Sequence, residues 1–341
     1  MKKIIIINLI SLCGLMGFKC KHVDATIPVV EQTASKISLT SNRTKPSAHN
    51  HLTGDDAIVH PIVSYDVKND QLSRYYLFKP TPASGLDHAL WEEENHNKAS
   101  HQKLFNWFAK IIPQQYREGI KYFAIIDPRQ SNAEEVVCAA IGPQSQASIE
   151  PFCLYMAFDL EGYRDLPYLL SDNSLSCNWL VYILLHEFGH YLTMNEAQQA
   201  LIEGAFVPKK NSICEQIWFR PAYKKLATCS NEVALARCKE ELFKQGEFIT
   251  EYAANSCLED AAETFAYFVL TDERPQPGVS GAKDKILLFY ENEQMVNIRE
   301  DIRENLKKLG IAPRVSNILI HCSKLLTKAK EKLKKLIGRA M

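Results

Sequence analysis

Apolar residues fall in short runs early in the chain and at helical spacing later. Between residues 57 and 79, Ile58, Val59, Ile62, Val63, Tyr75 and Leu77 predict one or two strands, closed by the Pro80-Thr81-Pro82-Ala83-Ser84-Gly85 stretch. Residues 88 to 115 carry Leu90, Trp91, Leu104, Phe108 and Ile111 at helical spacing, which leaves His96 and His101 as helix-surface residues. Residues 120–126, 136–141 and 152–158 read as three more strands; Asp127-Pro128 closes the first and Gly142-Pro143 the second. The last of them, just ahead of a long helix, is the candidate to pair with an extended peptide.

The pattern then changes period. Residues 172–176 supply capping side chains, and Trp179 opens a helix that ends by Asn195. Leu180, Leu184 and Phe188 form one stripe of it; Ile183, His186, Glu187, His190 and Met194 lie on another. Residues 200–247 form a long, mostly helical insertion. Asn255 or Ser256 caps the next helix, whose stripe is Leu258, Ala262, Phe265 and Val269. A Pro- and Gly-containing loop over 272–282 separates it from helix over 283–306. Strands first and helices afterwards make an α+β order with a mostly helical C-terminal half.

Two stretches carry chemistry. His186-Glu187-Phe188-Gly189-His190 puts two imidazoles one helical turn apart on one face, with a carboxylate beside them. Two neutral nitrogen ligands and an adjacent base that does not coordinate are what a hydrolytic zinc site needs. The second stretch is Glu259-Asp260-Ala261-Ala262-Glu263. Glu259 and Glu263 are four apart, and two carboxylates on one helical face repel unless a cation compensates. Zinc would do so with Glu259 as third ligand and Glu263 behind it, accepting the distal N–H of a ligating histidine. Asp260 lies about 100° around the helix and should face away. The alternative for Glu259 is local: Ser256-x-x-Glu259 is a capping-box pattern.

Together, His-Glu-Phe-Gly-His and the Glu-Asp-Ala-Ala-Glu helix preceded by a Tyr-Ala turn resemble the gluzincin-type zinc metallopeptidases. The resemblance extends to the catalytic domain of anthrax lethal factor and to related exported bacterial zincin-like proteins. It covers roughly residues 176–195 and 246–303. Tyr252, seven positions before Glu259, and Glu263, four after it, match that family's spacing. The stretch between the histidines and the third ligand is much longer than in thermolysin-like enzymes, and the usual Glu-x-x-x-Asp form is absent. The resemblance implies a zincin-like metallopeptidase domain that hydrolyses peptide bonds. Zinc would be held by His186, His190 and Glu259, Glu187 would be the base, and Tyr252 would donate to the oxyanion.

Composition adds boundaries. The 341 residues are 46% hydrophobic, with 40 basic against 40 acidic side chains, so no bulk charge favours nucleic acid. Met1-Lys2-Lys3 and the apolar run from Ile4 to Phe18 read as a bacterial export signal over 1–25, with a polar linker or pro-segment over 26–56. The catalytic domain is then 57–312, and the protein is periplasmic or secreted; an uncleaved signal would instead be an N-terminal anchor. Of ten cysteines, Cys13 and Cys20 fall in the leader, and the remaining eight favour disulfides, Cys138–Cys153 first. Residues 313–341 form a basic amphipathic helix, with Ile318, Cys322, Leu325 and Leu333 on one face and six lysines around it. Two readings stand beside the peptidase: a catalytically silent zincin-fold binding protein with a structural zinc, and weak contact with an anionic membrane or partner through 315–341.

Overall fold

The computed structural model describes residues 61–78, 88–127, 139–145, 148–160, 167–169, 175–202, 205–218, 220–311 and 314–315. The expected signal, the linker, Cys138 and the C-terminal helix beyond 315 lie outside them.

Strands β1 (Pro61–Lys68) and β2 (Gln71–Leu77) form a hairpin in which Lys68 faces Gln71. Its two connecting residues, Asn69 and Asp70, have φ of 48° and 62°. Two consecutive left-handed residues suit the twist of a tight hairpin, and Asn and Asp tolerate that conformation better than other side chains. Helices α1 (His88–Asn95) and α2 (Lys98–Ile111) replace the single expected helix. His101 is not on the surface. It is fully buried, with Nδ1 2.7 Å from the Tyr65 hydroxyl and Nε2 2.7 Å from Glu94. Its polar ring is accepted in the core because both nitrogens are hydrogen-bonded, which ties α1 and α2 to β1.

Three further strands complete a mixed sheet: β3 (Ile120–Ile126), β4 (Ala139–Ser145) and β5 (Ser148–Ala157). The order is β2-β1-β3-β5-β4, with β3 and β5 parallel and the other pairs antiparallel. Two expectations need correction. Strand β5 is interior, so its backbone groups already have partners on both sides, whereas β4 is the edge among the described residues. Gly142-Pro143 does not end β4, which runs on to Ser145 with Pro143 opposite Phe152. An edge strand tolerates a proline because one side of its ladder is unpaired.

Short strands β6 (Pro167–Leu169) and β7 (Leu175–Asn178) lead into α3 (Trp179–Met194). A hairpin of β8 (Gln199–Ile202) and β9 (Ala205–Pro208) follows, then α4 (Ile213–Trp218), α5 (Pro221–Ala227) and α6 (Glu232–Lys244). The insertion is therefore a β-hairpin followed by three helices. A 3-10 turn, Tyr252–Asn255, precedes α7 (Cys257–Leu270). The last helical stretch divides into α8 (Gly281–Tyr290) and α9 (Glu293–Lys308), because Asn292 caps a new helix by accepting from the Met295 N–H. Strand β10 (Arg314–Val315) returns to pair with β7.

These elements make an α+β fold. An aromatic chain runs through its core from the sheet into the helices. Phe123 of β3 meets Phe105 of α2, Phe108 of α2 meets Phe188 of α3, and Phe188 meets Phe265 of α7. Phe265 and Phe268 then pack on Phe289 of α8. Edge-to-face aromatic pairs contribute about 0.5–1.5 kcal/mol each beyond their buried area. Helix α3 lies at the centre, with every residue from Leu180 to Met194 buried. The C-terminal carbonyls of α7 accept from α9: Arg299 Nε donates to Phe268 O at 2.7 Å, and Arg303 donates to Val269 O at 2.8 Å. Among the described residues no helix is long and apolar enough to cross a membrane.

Candidate metal centre

Helices α3 and α7 can approach closely because Gly189 has no side chain. A Cβ there would lie 2.9 Å from the Ala262 Cα and 3.0 Å from its carbonyl oxygen. Glycine inside a helix costs about 1 kcal/mol against alanine, and here the close crossing is what requires it. The crossing sets one turn of α7 against the two histidines of α3.

His186, His190 and Glu259 converge, all of them buried. The two Nε2 atoms are 3.0 Å apart, and Glu259 Oε2 is 3.2 Å from His186 Nε2 and 3.4 Å from His190 Nε2. Ligand atoms placed tetrahedrally at 2.0–2.1 Å from zinc are roughly 3.3 Å apart, so this triangle has the right size. Beyond the two imidazoles, Glu259 Oε2 has no hydrogen-bond partner despite lying in the core. A buried carboxylate oxygen aimed between two imidazole nitrogens is the arrangement of a metal ligand set. The donor set of two nitrogens and one oxygen suits zinc.

The capping alternative for Glu259 holds only for its backbone. Ser256 Oγ accepts from the Glu259 N–H at 3.1 Å, while the Glu259 carboxylate goes to the histidines. Burial alone would push that carboxyl up. The nearby His190 and His186, through charge and hydrogen bonding, bring it down to about 2. Burial works against protonation of His186, but Glu259 and Glu263 outweigh it and raise its pKa well above the ordinary value. Burial lowers that of His190.

Glu263 stands behind His186, with Oε1 2.6 Å from Nδ1. Its other oxygen accepts from the Tyr182 hydroxyl and from Thr250 Oγ1, the latter at 2.7 Å. With Nδ1–H donating to this carboxylate, a neutral His186 would present its Nε2 lone pair to the centre. Thr250 Oγ1 also accepts from the Ala253 N–H at 3.0 Å, which holds the turn that carries Tyr252. The ring of Tyr252 lies 5.9 Å from that of His186, centroid to centroid.

Glu187 is fully buried on α3, and no side chain hydrogen-bonds to either of its oxygens. Burial pushes its carboxyl up to about 8, with the backbone N–H of Ile141 on β4 among the groups that offset part of the rise. Edge strand β4 therefore passes beside Glu187. Asp260 does face away. Its Oδ2 binds buried Lys285 and accepts from the Tyr223 hydroxyl at 2.9 Å, and Lys285 Nζ also stands 4.3 Å from the centre of the Phe248 ring.

All six expected site residues thus fall in one region. Tyr182, Thr250, Gly189 and the Asp260–Lys285 pair also hold it, and only Gly189 left a trace in the sequence, as a glycine inside an apolar helix. Cys153, expected in a disulfide with Cys138, is a buried free thiol. No family model, no curated protein and no solved structure matches the chain. The reading of the centre therefore rests on its own geometry.

Proposed function

We propose that the chain is a zinc-dependent endopeptidase with a zincin-like domain. The observation that carries the proposal is Glu187: a buried carboxylate with no side-chain hydrogen bond to either oxygen, one residue from His186 in a His-His-Glu cluster. A base that needs a water and a substrate for partners fits this description, and a core carboxylate retained for stability does not.

His186, His190 and Glu259 would hold the ion, which when bound supplies a Lewis acid and lowers the pKa of a coordinated water towards ~7. Glu187 takes the proton from the attacking water and returns it to the leaving amine. Glu263 holds the His186 tautomer. Tyr252, beside His186, donates its phenol proton towards the developing oxyanion. Strand β4, the edge of the sheet among the described residues and next to Glu187, supports an extended peptide added as a further strand.

The complete burial of His186, Glu187 and His190 favours the rival, a silent zincin-fold protein with a structural zinc. One experiment separates the two. Wild type and Glu187→Gln are compared for bound zinc and for cleavage of a proteome-derived peptide library. The peptidase reading requires equal zinc and cleavage by wild type alone. Zinc in both and cleavage by neither supports the structural reading.

A further inference from the structure

The helical hairpin of α5 and α6 carries two cysteines that the proposed chemistry does not use. Cys229 follows the end of α5, and Cys238 lies midway along α6. An ion pair fixes the register of the hairpin, with Lys225 Nζ 3.5 Å from Glu241 Oε2. Four residues forward from Lys225 is Cys229, and three back from Glu241 is Cys238. Cys229 lies just past the helical residues of α5, its Sγ donating to the Lys225 carbonyl oxygen at 3.6 Å, and Cys238 is one turn back from Glu241 on α6, so both thiols lie beside this ion pair. The neighbouring Cys238 thiol, and then burial, raise the Cys229 pKa. Both are half-buried, whereas Cys153, Cys214 and Cys257 are buried.

We propose that Cys229 and Cys238 are a modification site: they close an intramolecular disulfide that staples the α5–α6 hairpin. The oxidant is a small-molecule disulfide. One protein thiolate attacks it and expels one small thiol, leaving a mixed disulfide; the second protein thiolate then attacks the protein-bound sulfur and expels the other small thiol. The protein loses two protons and two electrons, and the small disulfide gains them.

The staple bears on the metal centre because the hairpin braces it from two sides. Tyr223 of α5 donates to Asp260, the residue after Glu259. Lys239, the residue after Cys238, donates to Asn255 Oδ1 at 3.1 Å, at the end of the turn carrying Tyr252. Linking the two helices restricts both contacts together. This inference does not depend on the peptidase reading.

The test equilibrates the full chain at pH 8 in oxidised or reduced glutathione, alkylates free thiols, and maps peptides without reduction. In the oxidised sample, the fragment holding Cys229 and Cys238 should lack two hydrogens and take no alkyl group. Hydrogen exchange over 221–244 and 252–255 should slow several-fold on oxidation, and a Cys229→Ser/Cys238→Ser double variant should show no such difference. Alkylation of both residues in the oxidised sample, or a bridge from either to another cysteine, would overturn the site. A formed bridge with unchanged exchange over 252–255 would overturn the brace.

Discussion

The Nδ1 of His186 and the Oε1 of Glu263 lie 2.6 Å apart, across the contact between α3 and α7. This pair orients the imidazole whose other nitrogen faces Glu259, so the two glutamates of α7 have different tasks. Glu259→Ala should lose most metal binding. Glu263→Ala should weaken it by roughly ten- to a hundredfold, as removal of a ligand's hydrogen-bond partner does. Zinc competition titrations check both, and the reverse ranking would reverse the assignment.

Gly189 sets how close those helices come. Gly189→Ala improves intrinsic helix propensity, yet the new methyl meets the backbone of Ala262, which has no side-chain freedom to move aside. We expect a net destabilisation of about 1–3 kcal/mol, typical of overpacking, with a loss of zinc affinity. Chemical denaturation of the metal-free protein measures the first, and zinc titration the second. A more stable variant with unchanged affinity would show that the close crossing is not needed.

Glu187 should be a stability liability in the metal-free protein. Its carboxyl has a folded pKa of about 8 against an ordinary 4.5. Between those values the folded state holds a proton that the unfolded state has released, so stability falls as pH rises. Below the ordinary value both states are protonated and the effect vanishes. Glu187→Gln should therefore raise the melting temperature of metal-free protein more at pH 8 than at pH 4.5. An equal change at both pH values would contradict the assigned burial.

Asp260 and Lys285 form a fully buried ion pair that fixes the face α7 turns to the histidines. Removing one partner strands the other charge, so Asp260→Asn or Lys285→Met should each cost about 3–5 kcal/mol. The double variant should cost less than the two single changes combined. Urea denaturation of all three, beside wild type, gives the coupling.

The candidate metal centre could be read from sequence where its logic is local. His186 and His190 are one helical turn apart, as are Glu259 and Glu263, and each pair announces a shared face. Tyr182 and Thr250 could not be found this way. Neutral hydroxyls carry no spacing signal, and their common partner Glu263 is 81 and 13 positions away. Strand order escaped for the same reason. The apolar runs marked β4 and β5, but which of them is the edge depends on non-local pairing. His101 was misplaced because its helix face is hidden by Tyr65 and Glu94, which the helical period does not reveal.

The most direct test of the account is the zinc content of purified protein after mild dialysis, measured by elemental analysis on wild type and Glu259→Ala. The account requires about one zinc per wild-type chain and a large loss in the variant. A wild-type protein that holds no zinc and takes none up when it is supplied would contradict it.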